Sequence, residues 1–215
     1  MPNPVAMADA DSAARYDDAP PPIVLTFAKP VREAALLSLV RNNPEYRFET
    51  TADGRVVINP LTGMFASMGE AELAGQVFLW NKRFRLGRVT SSNGGVTLAD
   101  GAIKGPDTAF ISNERLAALS PKRKKRAFER IAPDAVFELL SPSDQLAYTR
   151  AKCAEYVATG SRIAVLVNPR DASVTLYRPG REAETIAGAT LVEIGPEMPG
   201  FVLDAAAVFA ECQEP

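Results

Sequence analysis

The fold is decided by residues 133–160, which read PDAVFELLSPSDQLAYTRAKCAEYVATG. Residues 135–140 are apolar except for Glu138, and prolines stand close to both ends of this run. Such a short apolar run predicts a strand that is buried on both faces, in the middle of a sheet. Because side chains alternate along a strand, Val136, Glu138 and Leu140 should share one face, where an ionised carboxylate needs a cation or hydrogen-bond donors.

A helix of about four turns is predicted to follow this strand. Ser143 or Asp144 would cap its beginning, and Gly160 would end it. The helix carries Arg150 and Lys152. A carboxylate on a central strand, followed by a helix that brings a lysine back, suits a metal ion with a basic group beside it.

The rest of the chain predicts a mixed α/β fold in which helices frame a central sheet. Apolar stripes predict helices over residues 31–42, 66–84 and near 203–212. Alternating or continuous apolar runs predict strands over residues 46–51, 55–59, 88–91, 95–98, 102–103, 108–111, 163–167, 173–178 and within 185–194. The strand over 173–178 should pair antiparallel with the one over 163–167. Residues 1–22, rich in Ala, Asp and Pro, are predicted to be a disordered arm, and residues 23–215 a single domain.

The composition excludes several kinds of catalytic site. The chain has 215 residues, no histidine and two cysteines, Cys153 and Cys212. These counts exclude a Ser-His-Asp or Cys-His nucleophile and a zinc site built from histidines or four cysteines. A bound metal should therefore be a hard cation held by oxygen ligands, Mg²⁺ or Mn²⁺. We find neither an apolar window long enough to span a membrane nor a signal pattern, and we expect a cytoplasmic protein without membrane partners.

The charge of the chain is unevenly distributed. The net charge of −2 is not that of a bulk nucleic-acid binder, but residues 104–162 hold 11 Lys or Arg against 7 Asp or Glu. A local positive surplus can attract phosphates. It includes a basic run that is a candidate for nucleic-acid contact: Lys122, Arg123, Lys124, Lys125 and Arg126. A solvated loop or a targeting signal are alternative interpretations of this run.

Three acids are candidate metal ligands. Asp107 follows a proline at a strand boundary, Glu138 lies in the next long buried strand, and Glu72 lies on an earlier helix. Acids on adjacent strands can converge within a few ångströms and hold one divalent cation. The alternative is that Glu138 pairs with Arg150 or another cation, while Asp107 and Asp134 only cap turns.

Lys152 is the candidate basic group. Its ammonium could orient an attacking water or stabilise charge on a phosphate. The alternative is an exposed surface lysine without a role in catalysis.

An ordered set of motifs extends over most of the chain. These are GEAELAGQVFLWN at 69–81, PDTAFI at 106–111, PDAVFELLSPSD at 133–144, KCAEY at 152–156, VLVNP at 165–169, VTLYRPG at 174–180 and PGFVLD at 199–204. In this order they resemble the Uma-type restriction-endonuclease-like family, a bacterial branch of the PD-(D/E)xK nucleases. The resemblance covers about residues 34–210.

The resemblance implies a restriction-endonuclease-like fold, a mixed central sheet flanked by helices, here with an N-terminal helix and β-hairpin extension. It also implies metal-dependent hydrolysis of phosphodiester bonds in nucleic acid, with DNA as the expected substrate. Asp107 and Glu138 match the two acids of the family, and Glu72 matches an acid on the first core helix.

The sequence departs from the superfamily at Leu140, where a lysine is usual. In the family a lysine from the following helix replaces it, and Lys152 is the matching residue. The missing strand lysine leaves open a catalytically silent nucleic-acid-binding or protein-interaction module. Since many nucleases of this fold pair up, a homodimer is expected on analogy.

Overall fold

The computed structural model of the chain describes residues 21–59, 61–119 and 126–213. The strands are β1 (Ile23–Leu25), β2 (Arg47–Thr50), β3 (Val56–Asn59), β4 (Gly87–Thr90), β5 (Val96–Thr97), β6 (Ile103–Lys104), β7 (Thr108–Ser112), β8 (Ala135–Leu139), β9 (Ile163–Asn168), β10 (Ser173–Tyr177), β11 (Glu184–Ala187), β12 (Leu191–Glu193) and β13 (Val202–Asp204). The helices are α1 (Glu33–Asn42), α2 (Met64–Phe84), α3 (Asn113–Ala117), α4 (Leu146–Ala158) and α5 (Ala205–Glu211). The predicted disordered arm lies almost entirely outside the described residues.

A six-stranded mixed sheet forms the centre of the molecule. Its strand order is β11-β10-β9-β8-β7-β4, with β8 and β9 parallel and every other neighbouring pair antiparallel. The predicted α/β class with a mixed central sheet is confirmed, as is the antiparallel pairing of the strands after α4. The parallel pair needs a crossover, and α4 supplies it.

The strand β8 is buried on both faces, as its apolar run predicts. Phe137 and Leu139 belong to a hydrophobic cluster that includes side chains of α2 and α5. Val136 on the other face belongs to a second cluster with Cys153 and Tyr156 of α4. Glu138 therefore points to the side of the sheet that α4 covers, because it alternates with Phe137 and Leu139.

The helix α4 begins one or two residues later than predicted. Its N-cap is Gln145, which makes no side-chain capping bond. Asp144 was expected to cap the helix, but its Oδ2 accepts a hydrogen bond from the backbone N–H of Ser141 at 2.7 Å. It therefore closes the turn between β8 and the helix. The predicted end is confirmed, since Gly160 follows the helix with a φ of 114°.

The N-terminal hairpin packs beside the central sheet as a separate three-stranded antiparallel sheet of order β1-β3-β2. Its predicted turn contains Gly54, which has a φ of 83° and leaves no room for a Cβ against Pro30. The edge strand β1 was not predicted, because three apolar residues carry no usable periodicity. Both cysteines are free thiols, and no helix within the described ranges is long and apolar enough to cross a membrane.

Candidate active site

A cavity of about 300 Å³ lies where the central sheet, α4 and the N-terminal hairpin meet. We call it the acidic cleft. Its described lining includes five acidic and two basic side chains, together with polar and apolar groups near the mouth. The charged ones are Arg47, Glu49, Glu70, Asp107, Glu138, Asp144 and Lys152.

The register of the central sheet places Asp107 beside Glu138. Thr108 of β7 pairs with Phe137 of β8, so Asp107 and Glu138 stand one residue beyond that antiparallel pair. The Oδ2 atom of Asp107 accepts a hydrogen bond from the N–H of Leu139 at 2.8 Å, which fixes its carboxylate against the strand. Both acids are buried. The structure thus brings two of the three predicted acids together.

Lys152 points into the acidic cleft. Its Nζ lies 3.0 Å from both carboxylate oxygens of Glu138 and donates a hydrogen bond to Oε2. It also lies 2.9 Å from Oε1 of Glu49 and 3.3 Å from the carbonyl oxygen of Gly105. The cation that pairs with Glu138 is thus Lys152, whereas Arg150 is exposed.

Glu49 is a site residue that sequence reasoning missed. It comes from β2 of the hairpin, is almost fully buried, and accepts a hydrogen bond from the N–H of Gly105 at 3.0 Å. Lys104 extends the ionic network, with Nζ 4.0 Å from Glu49 and 3.1 Å from Glu155 of α4. A usable signal was the alternation in β2, where Arg47 and Glu49 share one face.

The first long helix contributes Glu70 to the described lining of the cleft, whereas the sequence analysis proposed Glu72. Glu70 lines the cavity and accepts a hydrogen bond from Thr62 Oγ1 at 3.0 Å. Glu72 accepts one from Gln76, one turn along α2, and is not among the cleft-lining residues described. The metal-ligand role of Glu72 stays a prediction that this geometry does not favour.

The periodicity of α2 explains why the two acids differ. Each residue of the helix advances about 100° around the axis, and the buried stripe consists of Ala66, Gly69, Leu73, Val77 and Trp80. Glu70 falls about 60° from the centre of the buried stripe and Glu72 about 100° from it. Glu70 therefore projects beside the sheet, where the cleft opens.

Three acids of the cleft have raised pKa values. Burial, with repulsion by Asp107 and Glu49, outweighs the attraction of Lys152 and raises the pKa of Glu138 to about 8. Burial likewise raises the pKa of Asp107, and burial with repulsion by Asp107 raises that of Glu70. These shifts all indicate negative charge that the protein cations do not balance.

Glu49 and Lys152 behave in the opposite way. Burial opposes the charge of Glu49, but Lys152 and Lys104 lower its pKa below the ordinary value. Burial also opposes the charge of Lys152, yet Glu138 and Glu49 raise its pKa well above the usual range. Lys152 thus has two carboxylate partners, and its attraction does not offset the burial of Glu138.

The donor set of the cleft fits a hard divalent cation. Glu138 Oε1 is buried and makes no hydrogen bond with any described residue, although the ammonium of Lys152 lies nearby. Across residues 21–59, 61–119 and 126–213 no preformed group of three or more acidic or cysteine side chains could hold a metal by itself. Two carboxylates suffice for Mg²⁺, because it keeps several waters and commonly takes its other ligands from substrate phosphates.

The basic run and Asp134 are not among the described residues that line the acidic cleft. Of the basic run, Lys122 to Lys125 fall outside the described residues, and Arg126 is exposed. Asp134 has a structural role, since its carboxylate lies 3.1 Å from Arg115 and 3.3 Å from Arg162.

The sequence matches a known protein family. The profile of the Uma2 family, described as "Putative restriction endonuclease", matches residues 33–206. The chain belongs to this family. The match runs from the first residue of α1 into α5, so it includes every charged residue of the acidic cleft. It confirms the resemblance drawn from the ordered motifs.

A solved structure shares the fold. It is a protein from Anabaena variabilis described as "a putative nuclease", with a TM-score of 0.72 and 20% sequence identity, and the match covers 86% of this chain and 100% of that chain. None of the curated proteins matches the chain. The family and the fold together support a nuclease-like protein.

Proposed function

We propose that the protein is a metal-dependent endonuclease that hydrolyses phosphodiester bonds, with DNA as its substrate. The observation that carries this proposal is the charge of the acidic cleft, where five carboxylates face two cationic side chains. Such a cavity repels a phosphodiester unless a further cation enters with it. The choice of a phosphodiester as the substrate is supported by the description of the family as restriction endonucleases.

Asp107 and Glu138 would hold the cation. A bound Mg²⁺ or Mn²⁺ supplies polarisation of the phosphoryl oxygen and a lowered pKa for a coordinated water. Asp107 is suited to this task because its carboxylate is fixed by the N–H of Leu139. Glu138 is suited because its carboxylate gains the compensation that it lacks in the protein alone.

Lys152 would stabilise the charge that builds on the phosphoryl oxygens during hydrolysis. Glu49 holds the ammonium at the cleft through its contact at 2.9 Å, so Lys152 can turn away from Glu138 without losing its counter-ion. This replaces the strand lysine that is absent at Leu140. Glu49 is thus a positioning residue, which acts through Lys152.

Glu70 would accept the proton of the attacking water. Its raised pKa makes it a better base than an ordinary carboxylate near neutral pH. The water oxygen bonds to phosphorus, the ester oxygen leaves with the electron pair of the broken P–O bond, and solvent protonates it.

Plasmid nicking tests the proposal. Wild type with Mg²⁺ or Mn²⁺ should convert supercoiled plasmid to nicked and linear forms, and chelation should stop this. Glu138→Ala and Lys152→Ala should each lose about a hundredfold or more in rate. Unchanged activity in Glu138→Ala would exclude the mechanism.

One observation favours a second function. Glu138 and Lys152 form a buried ion pair, which could make the cleft purely structural in a silent nucleic-acid-binding or protein-interaction module. Calorimetry with Mn²⁺ separates the two functions, since such a module binds no ion at millimolar concentration. The homodimer predicted by analogy also stays a prediction, and sedimentation analysis would test it.

A further inference from the structure

The mouth of the acidic cleft is largely apolar. It is lined by Pro21, Pro22, Ile23, Tyr46, Ile58 and Leu61. Ile23 belongs to β1 and is held in place by its pairing with Ile58 of β3. Three side chains of the mouth face solvent, with Ile23 61%, Tyr46 47% and Leu61 77% exposed. These apolar side chains offer neither a charge nor a hydrogen bond to a phosphate group.

The ring of Tyr46 is built as a platform. It packs edge-on against Phe48, with ring centroids 6.1 Å apart. Phe48 in turn packs on the hydrophobic cluster around Leu36. Phe48 therefore supports Tyr46, which is exposed and lines the cavity. Exposed aromatic rings of this kind stack on unpaired bases, whatever their sequence.

The acids at the floor of the cleft are reached only through the cavity. Asp107 is 8% exposed and Glu138 4% exposed, so the scissile phosphate must enter the cavity to approach them. A volume of about 300 Å³ lies at the lower end of the range for small-ligand pockets. A single strand enters such a pocket more easily than a duplex, because extruding a nucleotide from a duplex costs a few kcal/mol of unpairing and unstacking energy.

The described lining of the cleft offers few cations to a long stretch of phosphate backbone. Tracking a duplex uses many Lys and Arg contacts to phosphates. The described lining contains Arg47 and Lys152 as its cations, and both are engaged. Arg47 donates a hydrogen bond to the carbonyl of Ser92 at 2.9 Å and lies 3.7 Å from Asp107. Lys152 is held between Glu49 and Glu138.

We propose that the acidic cleft takes single-stranded DNA, with one unpaired base stacked on Tyr46 and the adjoining phosphodiester directed to Asp107 and Glu138. The inference rests on the proposed nuclease function and adds the strandedness of its substrate. The reaction is the same hydrolysis at one P–O bond.

Two measurements on one labelled oligonucleotide test this, with the strand alone and annealed to its complement. In Mn²⁺, the rate of cleavage by wild type should be at least about tenfold higher for the single strand. In Ca²⁺, fluorescence anisotropy should show tighter binding of the single strand. Tyr46→Ala should weaken single-strand binding and raise KM by about tenfold, the loss expected for one stacked base. Tyr46→Phe should retain both.

Phe78→Ala is the matched control, because Phe78 is a half-exposed ring on α2 that does not line the cleft. Equal cleavage of both substrates, or equal effects of Tyr46→Ala and Phe78→Ala, would overturn the inference and leave the nuclease function standing. Tyr46-dependent single-strand binding without any cleavage would support this inference and contradict the proposed function.

Discussion

The surroundings of Lys152 depend on a segment that lies far away in the sequence. The spacing along α4 was enough to bring Lys152 back towards Glu138. It gave no information on Glu49, which arrives from the hairpin about a hundred residues earlier in the chain. Contacts between distant segments depend on how the hairpin docks, and no local pattern encodes that docking.

The choice between Glu70 and Glu72 gives a matched pair of substitutions. Glu70→Gln should lower cleavage by about a hundredfold or more, because it removes the proton acceptor from the cleft. Glu72→Gln should keep wild-type activity, since Glu72 bonds only to Gln76 among the described contacts of its side chain. Plasmid nicking under Mn²⁺ measures both. The reverse order of effects would restore the prediction made from the sequence.

The burial of Glu138 predicts a pH-dependent stability. Its folded pKa of about 8 lies above the ordinary value, so the stability it contributes is complete in acid and falls as pH rises towards and through 8. Glu138→Gln cannot ionise, and Lys152 keeps Glu49 as its partner. In chelator, wild type should lose stability relative to Glu138→Gln between about pH 5 and pH 9, by a few kcal/mol.

Urea unfolding at a series of pH values measures this difference. The charged groups that face Glu138 are Asp107, Glu49 and Lys152, and the substitution leaves all three in place. Parallel stability curves for the two proteins would show that Glu138 has an ordinary pKa.

At the scale of elements, the apolar runs β8 and β9 and the helix α2 were predictable, because each has a strong period or a long apolar run. The start of α4 was not predictable, because Asp144 can either cap a helix or close a turn. Here its carboxylate accepts a hydrogen bond from the N–H of Ser141 and closes the turn. The three-residue strand β1 is too short for any pattern.

Two glycines of α2 predict opposite effects on stability. A Cβ on Gly69 would overlap Cys212 Sγ and lie 3.0 Å from Leu139, where α2 packs on α5 and β8. Gly69→Ala should therefore destabilise the protein by about 1–3 kcal/mol. Gly75 has nothing within 4 Å of such a Cβ, and Gly75→Ala should stabilise by about 0.5–1 kcal/mol through helix propensity.

Thermal unfolding of both variants tests this packing. A stable Gly69→Ala protein would mean that α5 does not lie against α2 as described. The pair also controls for helix propensity, because both changes are glycine to alanine in the interior of one helix.

At the scale of the whole molecule, the net charge of −2 hides an uneven distribution of charged residues. The described lining of the acidic cleft holds five acidic and two basic side chains, while the basic run at 122–126 lies almost entirely outside the described residues. The cleft is also assembled from two sheets, since the central sheet provides Asp107 and Glu138 and the sheet of the hairpin provides Glu49. The hairpin is thus part of the site and not an appendage to the fold.

The central claim is that the acidic cleft binds a divalent cation at Asp107 and Glu138. An anomalous difference map from crystals soaked in Mn²⁺ at about pH 8 tests it most directly, since ionised Glu138 is then well populated. The account predicts a peak at coordination distance from both carboxylates, with Lys152 retained by Glu49. A map with no peak there, and with Glu138 still paired to Lys152, would contradict it.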